Sequence, residues 1–326
     1  MADSQATRDK EFLDNWLACG RSPMRYAEQY AMSPRRVYDR RAAVLGRNPA
    51  WAPKLATTPY NQGPADWPAP QCINLDAKGK TFLIGSDLHA WRVDSPPLLW
   101  HAFCSVAWSI KPDVIVMNGD VIDGARVSRH PKAPGVNAPK ITEEIEAAKT
   151  WLGWLPDAQK EWVIGNHDVR VDTYLANTAT ELEDYAGRLS DRFSDWRFAW
   201  SLMVNNTCEI RHRYHCGEHT AWNNVLKAGV SIVTGDTHRC CVRPFQDRRG
   251  VRWGVELGML GDPEHVSFMY NEGKPNQHRR GFAVLTFDEE GALLPPELCE
   301  WHDDRATFRG RVVADLKGAR VRVKAA

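Results

Sequence analysis

The chain has 326 residues, of which 43% are hydrophobic and 25% are charged, and this composition is typical of a globular protein with one large domain or two smaller ones. Its formal net charge of +1 excludes a uniformly basic protein, so any contact with nucleic acid must come from local basic patches. No apolar run reaches the ~18 residues that a membrane-spanning helix needs, so we expect no membrane contact.

The first predicted elements are short helices between residues 10 and 45. Residues 12–17 hold four apolar side chains at helical spacing. Two Ser-Pro pairs, at 22–23 and 33–34, each place a capping hydroxyl before a proline at the first helical position. Two helices that start so close together resemble a helix-turn-helix, in which the second helix enters the major groove of DNA.

The second of these helices would carry a basic face. Residues 21–47 contain seven arginines and two acids. This balance favours contact with a phosphate backbone, and the alternative is a small helical bundle with a solvated basic face. The side chains expected to bind nucleic acid are Arg35, Arg36, Arg40 and Arg41.

A proline-rich stretch follows the helices. Residues 47–72 contain six prolines, a composition typical of an extended, semi-rigid linker. We therefore predict a helix-turn-helix-like helical domain at 1–46, a linker at 47–78, and a larger domain at 79–326 with a basic C-terminal tail.

From about residue 80, short apolar runs alternate with longer amphipathic segments. The runs TFLIGSD, PDVIVMNGD and EWVIGNHD are separated by segments around 96–110 and 141–155. Strands that alternate with helices predict an α/β core. After residue 240, runs such as CCVRPF, VRWGVEL and GFAVLTFD indicate further strands. The basic tail at 305–324 is either a strand pair or a mobile segment.

Side chains that can bind a metal follow four of the apolar runs. They are Asp87 and His89, Asp120 and Asp123, Asn166 with His167 and Asp168, and Asp236 with His238. In an extended segment, residues two apart point the same way, so both members of a D-x-H pair should face one centre. Sites in open α/β sheets lie at the carboxyl ends of strands. One D-x-H pair is more often a capped turn, but four such strand ends predict a metal centre.

This combination of motifs resembles the calcineurin-like metallophosphoesterases. The motifs are D-x-H at 87–89, G-D-x-x-D at 119–123, G-N-H-D at 165–168, a later His, and a near G-H-x-H at 235–238. The resemblance covers about residues 80–290. It implies an α/β fold, a four-layer αββα sandwich with two divalent metals at the carboxyl ends of the strands, preceded here by the small all-α domain.

The resemblance also implies which residues hold the metals. One metal would be bound by Asp87, His89, Asp120 and His238. Asp120 would bridge to the second metal, which would also be bound by Asn166, His215 and Asp236. His167 would face the phosphoryl group. We expect Mn²⁺ at both positions, with Mg²⁺, Fe and Zn²⁺ as alternatives.

Two positions depart from the family pattern. The family usually has His where this chain has Asp236, and we expect Asp236 to be a ligand because it shares a segment with His238; a turn capped by Asp is the alternative. The later His is usually followed by Gly, whereas Cys216 follows His215. His212 and His219 are therefore alternatives, and we prefer His215 because it ends the apparent strand at 208–214.

A two-metal centre suits the hydrolysis of phosphodiesters. Two cations about 3.5–4 Å apart neutralise the repulsion between the phosphodiester and a hydroxide nucleophile. Asp120 would be catalytic through its control of the metal spacing, and His167 would stabilise the transition state or protonate the leaving group. Asp123 would brace the ligands rather than bind metal.

Basic side chains close to these motifs are candidates for substrate binding. They are Arg126, Arg129 and His130, which follow the motif at 119–123, and Arg239, which follows His238. The alternative is a surface loop that is basic for other reasons.

We therefore predict a two-metal phosphodiesterase of a phage type, a nuclease that acts on DNA and uses its N-terminal helices to bind nucleic acid. The alternatives are an enzyme acting on a small phosphoester such as a cyclic nucleotide, and a DNA-binding regulator with a degenerate metal site. The first ten residues lack the apolar core of a secretory signal, and the eight cysteines include no C-x-x-C pair. We expect a cytoplasmic protein, in the host cytoplasm if a phage encodes it; the oligomeric state is not predicted.

Overall fold

The computed structural model describes residues 5–19, 26–27, 29–51, 69–128, 136–182, 187–266, 268 and 277–315, without the side chains at 34, 35 and 38. The chain divides into two compact units, residues 1–67 and 68–326. The last part of the predicted linker, residues 69–78, lies in the second unit, where strand β1 (Ile73–Leu75) pairs in parallel with β6 (Ser201–Val204).

The first unit is a helical bundle over its described residues. Helix α1 is Gln5–Ala18 and helix α2 is Pro34–Arg47. The Ser33 side chain caps α2 by accepting from the Arg36 N–H, as the Ser-Pro pair predicts. Residues 26, 27 and 29 are helical, but the Ser-Pro pair at 22–23 lies outside the described residues. The core includes Phe12, Trp16, Tyr26, Val37 and Val44.

The second unit contains two sheets and several helices. The remaining strands are β2 (Thr81–Gly85), β3 (Val114–Asn118), β4 (Gln159–Val163), β5 (Arg197–Ala199), β7 (Cys208–Arg211), β8 (Ser231–Thr234), β9 (Cys240–Asp247), β10 (Gly250–Leu257), β11 (Gly281–Thr286), β12 (Glu297–His302), β13 (Arg305–Phe308) and β14 (Arg311–Asp315). Among the described residues of this unit, the α-helices are α3 (Leu98–Ile110), α4 (Ile141–Leu152), α5 (Arg170–Thr178) and α6 (Thr220–Ala228).

The strand order brings several carboxyl ends to one edge. The eight-stranded sheet runs β14-β13-β12-β11-β2-β3-β4-β5, and the six-stranded sheet runs β1-β6-β7-β8-β10-β9. β2, β3, β4 and β5 are parallel neighbours, and so are β7 and β8. Because α3 and α4 provide the crossovers between β2, β3 and β4, the loops after these strands emerge on the same side.

The two sheets pack face to face between helices. Along β2, Phe82 and Ile84 lie in the core between the sheets, whereas Leu83 lies in the core with α3 and α4. On the far side, α6 packs against β8, β9 and β10. A side chain at Gly254 would meet the Ala221 carbonyl of α6 at 2.0 Å, so the close helix–sheet contact requires glycine there. The predicted αββα sandwich is confirmed.

The C-terminal tail is partly a strand pair, since β13 and β14 pair in antiparallel fashion. Residues 316–326 lie outside the described residues. In the described part of the chain, no helix is both long enough and apolar enough to span a membrane.

Candidate metal centre

The loops that follow β2, β3 and β8 share an unusual backbone conformation. Five of their residues have left-handed φ angles: Asp87 (55°), His89 (49°), Asp120 (53°), Asp236 (64°) and His238 (55°). The D-x-H segments are therefore not extended, and that part of our expectation is wrong. Each such residue costs roughly 1–3 kcal/mol and persists only where the surrounding structure holds it. The side chains converge because the loops bend, not because strands continue.

The first group of close ligand atoms joins the two D-x-H loops. The Oδ1 atom of Asp87 lies 3.1 Å from Nε2 of His238 and 3.9 Å from Nε2 of His89, and the two Nε2 atoms are 3.4 Å apart. All three side chains are buried. Ligands that each lie about 2.1 Å from one ion are separated by about 3–4 Å, so this group can hold a cation.

The second group is centred on Asp120 and His212. The Nε2 atom of His212 lies 3.2 Å from Oδ2 of Asp120, and 4.0 Å from both Oδ1 of Asp87 and Oδ1 of Asp236. His212 is only 2% exposed. Asp87 belongs to this group as well as to the first, so the two groups are adjacent.

The structure places His212, not the preferred His215, in this cluster. β7 ends at Arg211 rather than at 214, so His212 is the first residue beyond the strand. Its Nδ1 atom lies 2.6 Å from the Asn118 carbonyl oxygen, which orients Nε2 towards the carboxylates. His215 lies outside the groups of close ligand atoms found among the described residues. In the sequence, apolar Cys208 and Ile210 alternate with charged Glu209 and Arg211, which places His212 on the buried side and is the signal that would have identified it.

Unpaired buried atoms show that these residues fit a metal. Oδ1 of Asp87, Oδ1 of Asn166 and Nε2 of His212 are buried and make no well-aligned hydrogen bond, although Asp87 and His212 have ionic neighbours at 3.1 and 3.2 Å. A buried polar atom without a partner is costly. These three atoms come from three different loops and are all of types that bind divalent cations, so they fit a site for bound cations.

The electrostatics of the cluster favour a bound cation. Burial opposes charge on Asp87 and Asp120, yet neighbouring imidazoles hold the pKa of both carboxyls below the usual value. Burial likewise opposes a charged His212, but the carboxylates of Asp120 and Asp87 outweigh it and raise its pKa to about 10. The buried carboxylates thus attract positive charge.

Asp123 links two of the histidines. Its Oδ1 atom lies 3.0 Å from Nδ1 of His89 and 3.1 Å from Nδ1 of His167. When Nδ1–H of His89 donates to this carboxylate, Nε2 keeps its lone pair for the first group. This is the geometry of the bracing residue that the sequence predicts.

Glu144, which the sequence analysis missed, holds the Asp123 loop from behind. It lies on α4, is fully buried, and accepts hydrogen bonds from the backbone N–H groups of Asp123, Gly124 and Ala125. Burial raises the pKa of Glu144 to about 8. The signal in the sequence is an acid three residues before Ala147, on the apolar face of an amphipathic helix.

Asp168 ties two ligand loops together. Its carboxylate accepts from the backbone N–H groups of Asp120 at 3.0 Å and Gly165 at 2.8 Å, and from the indole N–H of Trp162 at 3.0 Å. The acid of the G-N-H-D motif is therefore buried among donors and fixes the loops that carry Asp120 and Asn166.

A cleft of about 780 Å³ lies beside the cluster and is lined by Asn166, His167 and three arginines, namely Arg126, Arg170 and Arg213. Arg126 is at the expected place. Arg170 was missed by the sequence analysis, and its Nη2 atom lies 2.7 Å from Nε2 of His167. Two further candidates, Arg129 and His130, lie outside the described residues.

Arg239 does not line this cleft, contrary to our expectation. Its guanidinium donates to the Gly217 carbonyl and, at 2.7 Å, to Oγ1 of Thr220, and it lies 3.4 Å from Glu256. These contacts tie it to the start of α6 and to β10. Proximity in sequence to His238 therefore does not place it in the lining of this cleft.

Asp236 lies at the rim of the cluster. Its side chain is 18% exposed, Oδ1 lies 3.2 Å from Nε of Arg213, and Oδ2 accepts from Sγ of Cys216 at 3.4 Å. It is close enough to His212 to complete the second group, but protein partners already contact both of its oxygens. Its role as a ligand stays a prediction.

The predicted nucleic-acid arginines lie on α2. The guanidinium of Arg40 lies 5.3 Å from the Phe12 ring centre, and that of Arg41 lies 5.7 Å from the Trp16 ring centre. Arg36 and Arg40 are exposed, whereas the Arg35 side chain is outside the described set. These cation–π contacts cover the bundle core and leave the basic charge near the surface.

This chain is similar in part to several known proteins. Residues 80–227 match the model of the calcineurin-like phosphoesterase family. The Gene 54 proteins of Mycobacterium phages D29 and L5 are each 26% identical over 226 residues, 62% of this chain and 87% of theirs. An archaeal phosphodiesterase structure is 13% identical with a TM-score of 0.35, covering 68% of this chain and 99% of its own. The nuclease MPE of Pseudomonas putida is 11% identical with a TM-score of 0.32, covering 69% and 85%. The matched range contains the D-x-H, G-D-x-x-D and G-N-H-D motifs, so this part of the chain is similar to the calcineurin-like phosphoesterases.

Proposed function

We propose that this protein is a two-metal-dependent phosphodiesterase that cleaves DNA in the cytoplasm. The observation that carries the proposal is the set of unpaired buried atoms, Oδ1 of Asp87, Oδ1 of Asn166 and Nε2 of His212, next to a cleft lined by arginines. The buried atoms account for the metals, and the arginines account for an anionic phosphodiester.

The donor set divides between two ions. One ion would be held by Asp87, His89 and His238, the other by Asn166, His212 and Asp236, with Asp120 shared. When bound, such ions lower the pKa of a water molecule and neutralise the charge on the phosphodiester. Carboxylate and amide oxygens combined with imidazoles suit Mn²⁺, with Mg²⁺, Fe and Zn²⁺ as alternatives.

His167 is placed to move a proton. Its Nδ1 atom is held 3.1 Å from Asp123, and its Nε2 atom lies 3.6 Å from Oδ2 of Asp120. Burial lowers the pKa of His167, but the carboxylates of Asp120 and Asp123 outweigh burial and raise it. The raised pKa supports a protonated ring that donates from Nε2 to the leaving alkoxide. Arg170 contacts that nitrogen in this structure and would release it on binding the phosphate.

The N-terminal unit would supply the contact with the polymer. Arg36 and Arg40 are exposed and lie four residues apart on α2, so both side chains are on the same side of the helix. Two arginines on one side of a helix can contact one phosphate backbone together. Binding to phosphates releases counterions, so this contact should depend on salt.

The first experiment tests the chemistry. Purified protein is assayed on bis(p-nitrophenyl) phosphate and on single-stranded DNA with Mn²⁺ or excess chelator. We expect turnover of both substrates with Mn²⁺ only, and loss of both in Asp120→Ala, because the shared carboxylate is removed. Asp94→Ala, an exposed acid, is the control. Full activity in chelator or in Asp120→Ala would refute the proposal.

The second experiment tests DNA binding by the N-terminal unit. The double variant Arg36→Gln/Arg40→Gln should weaken binding to duplex DNA. The slope of the logarithm of the binding constant against the logarithm of salt concentration should become shallower by about 0.9 for each lost phosphate contact. The pair Arg248→Gln and Arg249→Gln, in an exposed turn between β9 and β10, carries the same charge change and should leave binding unchanged. If the two double variants change DNA binding equally, α2 is not the DNA-binding element.

A further inference from the structure

One face of α5 borders the cleft. The residues at positions 170, 173, 174, 177 and 178 all line it. These positions lie three or four residues apart, so they share one side of the helix. No residue of α5 is fully buried. The face therefore contributes little to the core, and it carries an arginine, an aromatic ring, an amide and hydroxyls towards the cleft.

Tyr174 stands out on this face. Its side chain is 48% exposed, although it is large and aromatic. It lies one helical turn, about 5.4 Å along the axis, beyond Arg170, whose Nη2 atom is 2.7 Å from Nε2 of His167. An aromatic ring is thus one turn away from a guanidinium that contacts the proposed proton donor.

Other exposed aromatic side chains have contacts that account for them. Trp222 packs on Phe245 with ring centres 5.3 Å apart, and the indole N–H of Trp108 donates to the Trp154 carbonyl. Tyr174 instead lines a cleft together with Arg126, Arg170 and Arg213. A flat aromatic face beside cations matches a ligand that joins a planar ring to a phosphate, which is a nucleotide.

We infer that the α5 face is a nucleoside subsite, in which Tyr174 stacks on the base next to the scissile phosphate and Arg170 holds that phosphate. This inference rests on the proposed phosphodiesterase function and adds its substrate class. Stacking accepts any base, and it needs a base that is not already paired. Single-stranded nucleic acid is therefore favoured over duplex DNA.

The test compares two chromogenic diesters that share one leaving group. Thymidine 5′-(p-nitrophenyl phosphate) carries a nucleoside, and methyl p-nitrophenyl phosphate does not. The readout is the ratio of their kcat/KM values with Mn²⁺. We expect a ratio of at least about 10 in the wild type, since one base–aromatic stack contributes about tenfold or more. In Tyr174→Ala the ratio should fall towards one.

Two further variants separate stacking from other effects. Tyr174→Phe keeps the ring and should keep the ratio, whereas a role for the hydroxyl would lower it. Trp222→Ala removes an exposed aromatic ring outside the cleft and should also keep the ratio. An unchanged ratio in Tyr174→Ala, or an equal loss on both diesters, would overturn the inference.

The outcomes also distinguish this inference from the proposed function. If the wild type hydrolyses both diesters at the same kcat/KM, the nucleoside subsite is refuted while the phosphodiesterase stands. If the thymidine ester is favoured through Tyr174 but no DNA is cleaved, the subsite stands and the nuclease assignment falls. Single-stranded DNA and cyclic dinucleotides, assayed in parallel, identify the source of the nucleotide.

Discussion

Two buried aspartates, one in each unit of the chain, have opposite surroundings. Asp9 in α1 is 3% exposed and Asp87 after β2 is 0% exposed. Both oxygens of Asp9 are paired, because Arg47 donates at 2.8 and 2.9 Å, and Gln5 and Asn48 donate as well. Asp87 accepts from Ser86 and from the Asp236 N–H through Oδ2, but Oδ1 has no hydrogen-bond partner.

The difference separates a structural carboxylate from a functional one. Burial of an acid is costly in both places, and protein donors offset that cost at Asp9. At Asp87 the remaining oxygen faces imidazole nitrogens within a cluster that attracts cations. Burial alone would have marked both residues as candidates, whereas an unpaired buried oxygen marks only Asp87.

The largest expected effect is that of Asp87→Asn. Loss of one metal ligand costs several kcal/mol, and each 1.4 kcal/mol is tenfold, so turnover should fall by about 10³-fold with weaker Mn²⁺ binding. In chelator the variant should melt close to the wild type, because the substitution removes the ion pair with His238 but also removes the cost of burying a carboxylate. Metal titration and thermal melts measure both effects. A metal-free variant that melts well below the wild type would make Asp87 structural, as Asp9 is.

Glu144→Gln tests a buried acid that is hydrogen-bonded like Asp9 but serves the site. Glu144 accepts from backbone N–H groups of the Asp123 loop through both oxygens, whereas Gln offers them one acceptor oxygen and an NH₂ that cannot accept. Residues that orient metal ligands contribute 10–100-fold, so we expect kcat to fall by about that factor while KM changes little. Hydrogen exchange in residues 120–128 should rise. Glu146→Gln, an exposed acid on the same helix, is the control, and equal kinetics in both variants would contradict the prediction.

Asp236 is intermediate between Asp9 and Asp87 in how its carboxylate is paired, since Arg213 and Cys216 contact its two oxygens. We therefore expect Asp236→Ala to lower turnover by about tenfold, less than Asp87→Asn, and to weaken binding of the second Mn²⁺ ion. Metal stoichiometry at limiting and saturating Mn²⁺ measures this. Normal turnover with two tightly bound ions would show that Asp236 is only a turn residue.

A smaller effect, confined to the first unit, is expected for Asp9→Asn. Loss of a paired charge, with Arg47 partly exposed, should lower the local unfolding free energy by about 2 kcal/mol. Hydrogen exchange of peptides from α1 and α2 reports it. Hydrolysis of bis(p-nitrophenyl) phosphate should stay within about twofold of the wild type. Asp14→Asn, an exposed acid in α1, should exchange as the wild type does, and a matching change there would indicate a general effect of helix charge.

The ion pair between Asp9 and Arg47 predicts that the stability of the first unit depends on pH. Hydrogen bonding to Arg47 lowers the pKa of Asp9, against the effect of burial. A lowered folded pKa contributes stability that is present above the unfolded value, near 3.9, and is lost as pH falls through the folded value. The difference in unfolding free energy between the wild type and Asp9→Asn should be constant from pH 7 to about 5 and should shrink below about pH 4. Thermal melts at several pH values measure it, and a difference that grows in acid would contradict the assignment.

Much of this protein follows from its sequence alone. Apolar runs of strand length, separated by amphipathic segments, predicted β2, β3 and β4 with α3 and α4, because burial requires those periodicities. The Ser33-Pro34 pair predicted the start of α2. The D-x-H, G-D-x-x-D and G-N-H-D motifs carried the resemblance to the calcineurin-like phosphoesterases and, with the near G-H-x-H, predicted that Asp87, His89, Asp120 and His238 lie close together.

Other features were decided only by the tertiary structure. Whether His212 or His215 joins the cluster depends on where β7 ends, and that is set by its pairing with β6 and β8. The role of Glu144 depends on partners 19 to 21 residues away in the sequence, and Arg170 is also held by the Asp123 carbonyl, 47 residues away. The contact of Asp236 with Arg213 depends on how two loops pack. Local patterns record which side chains are buried. The neighbours that pair a buried charge, or leave it free for a cation, are fixed when distant segments pack together.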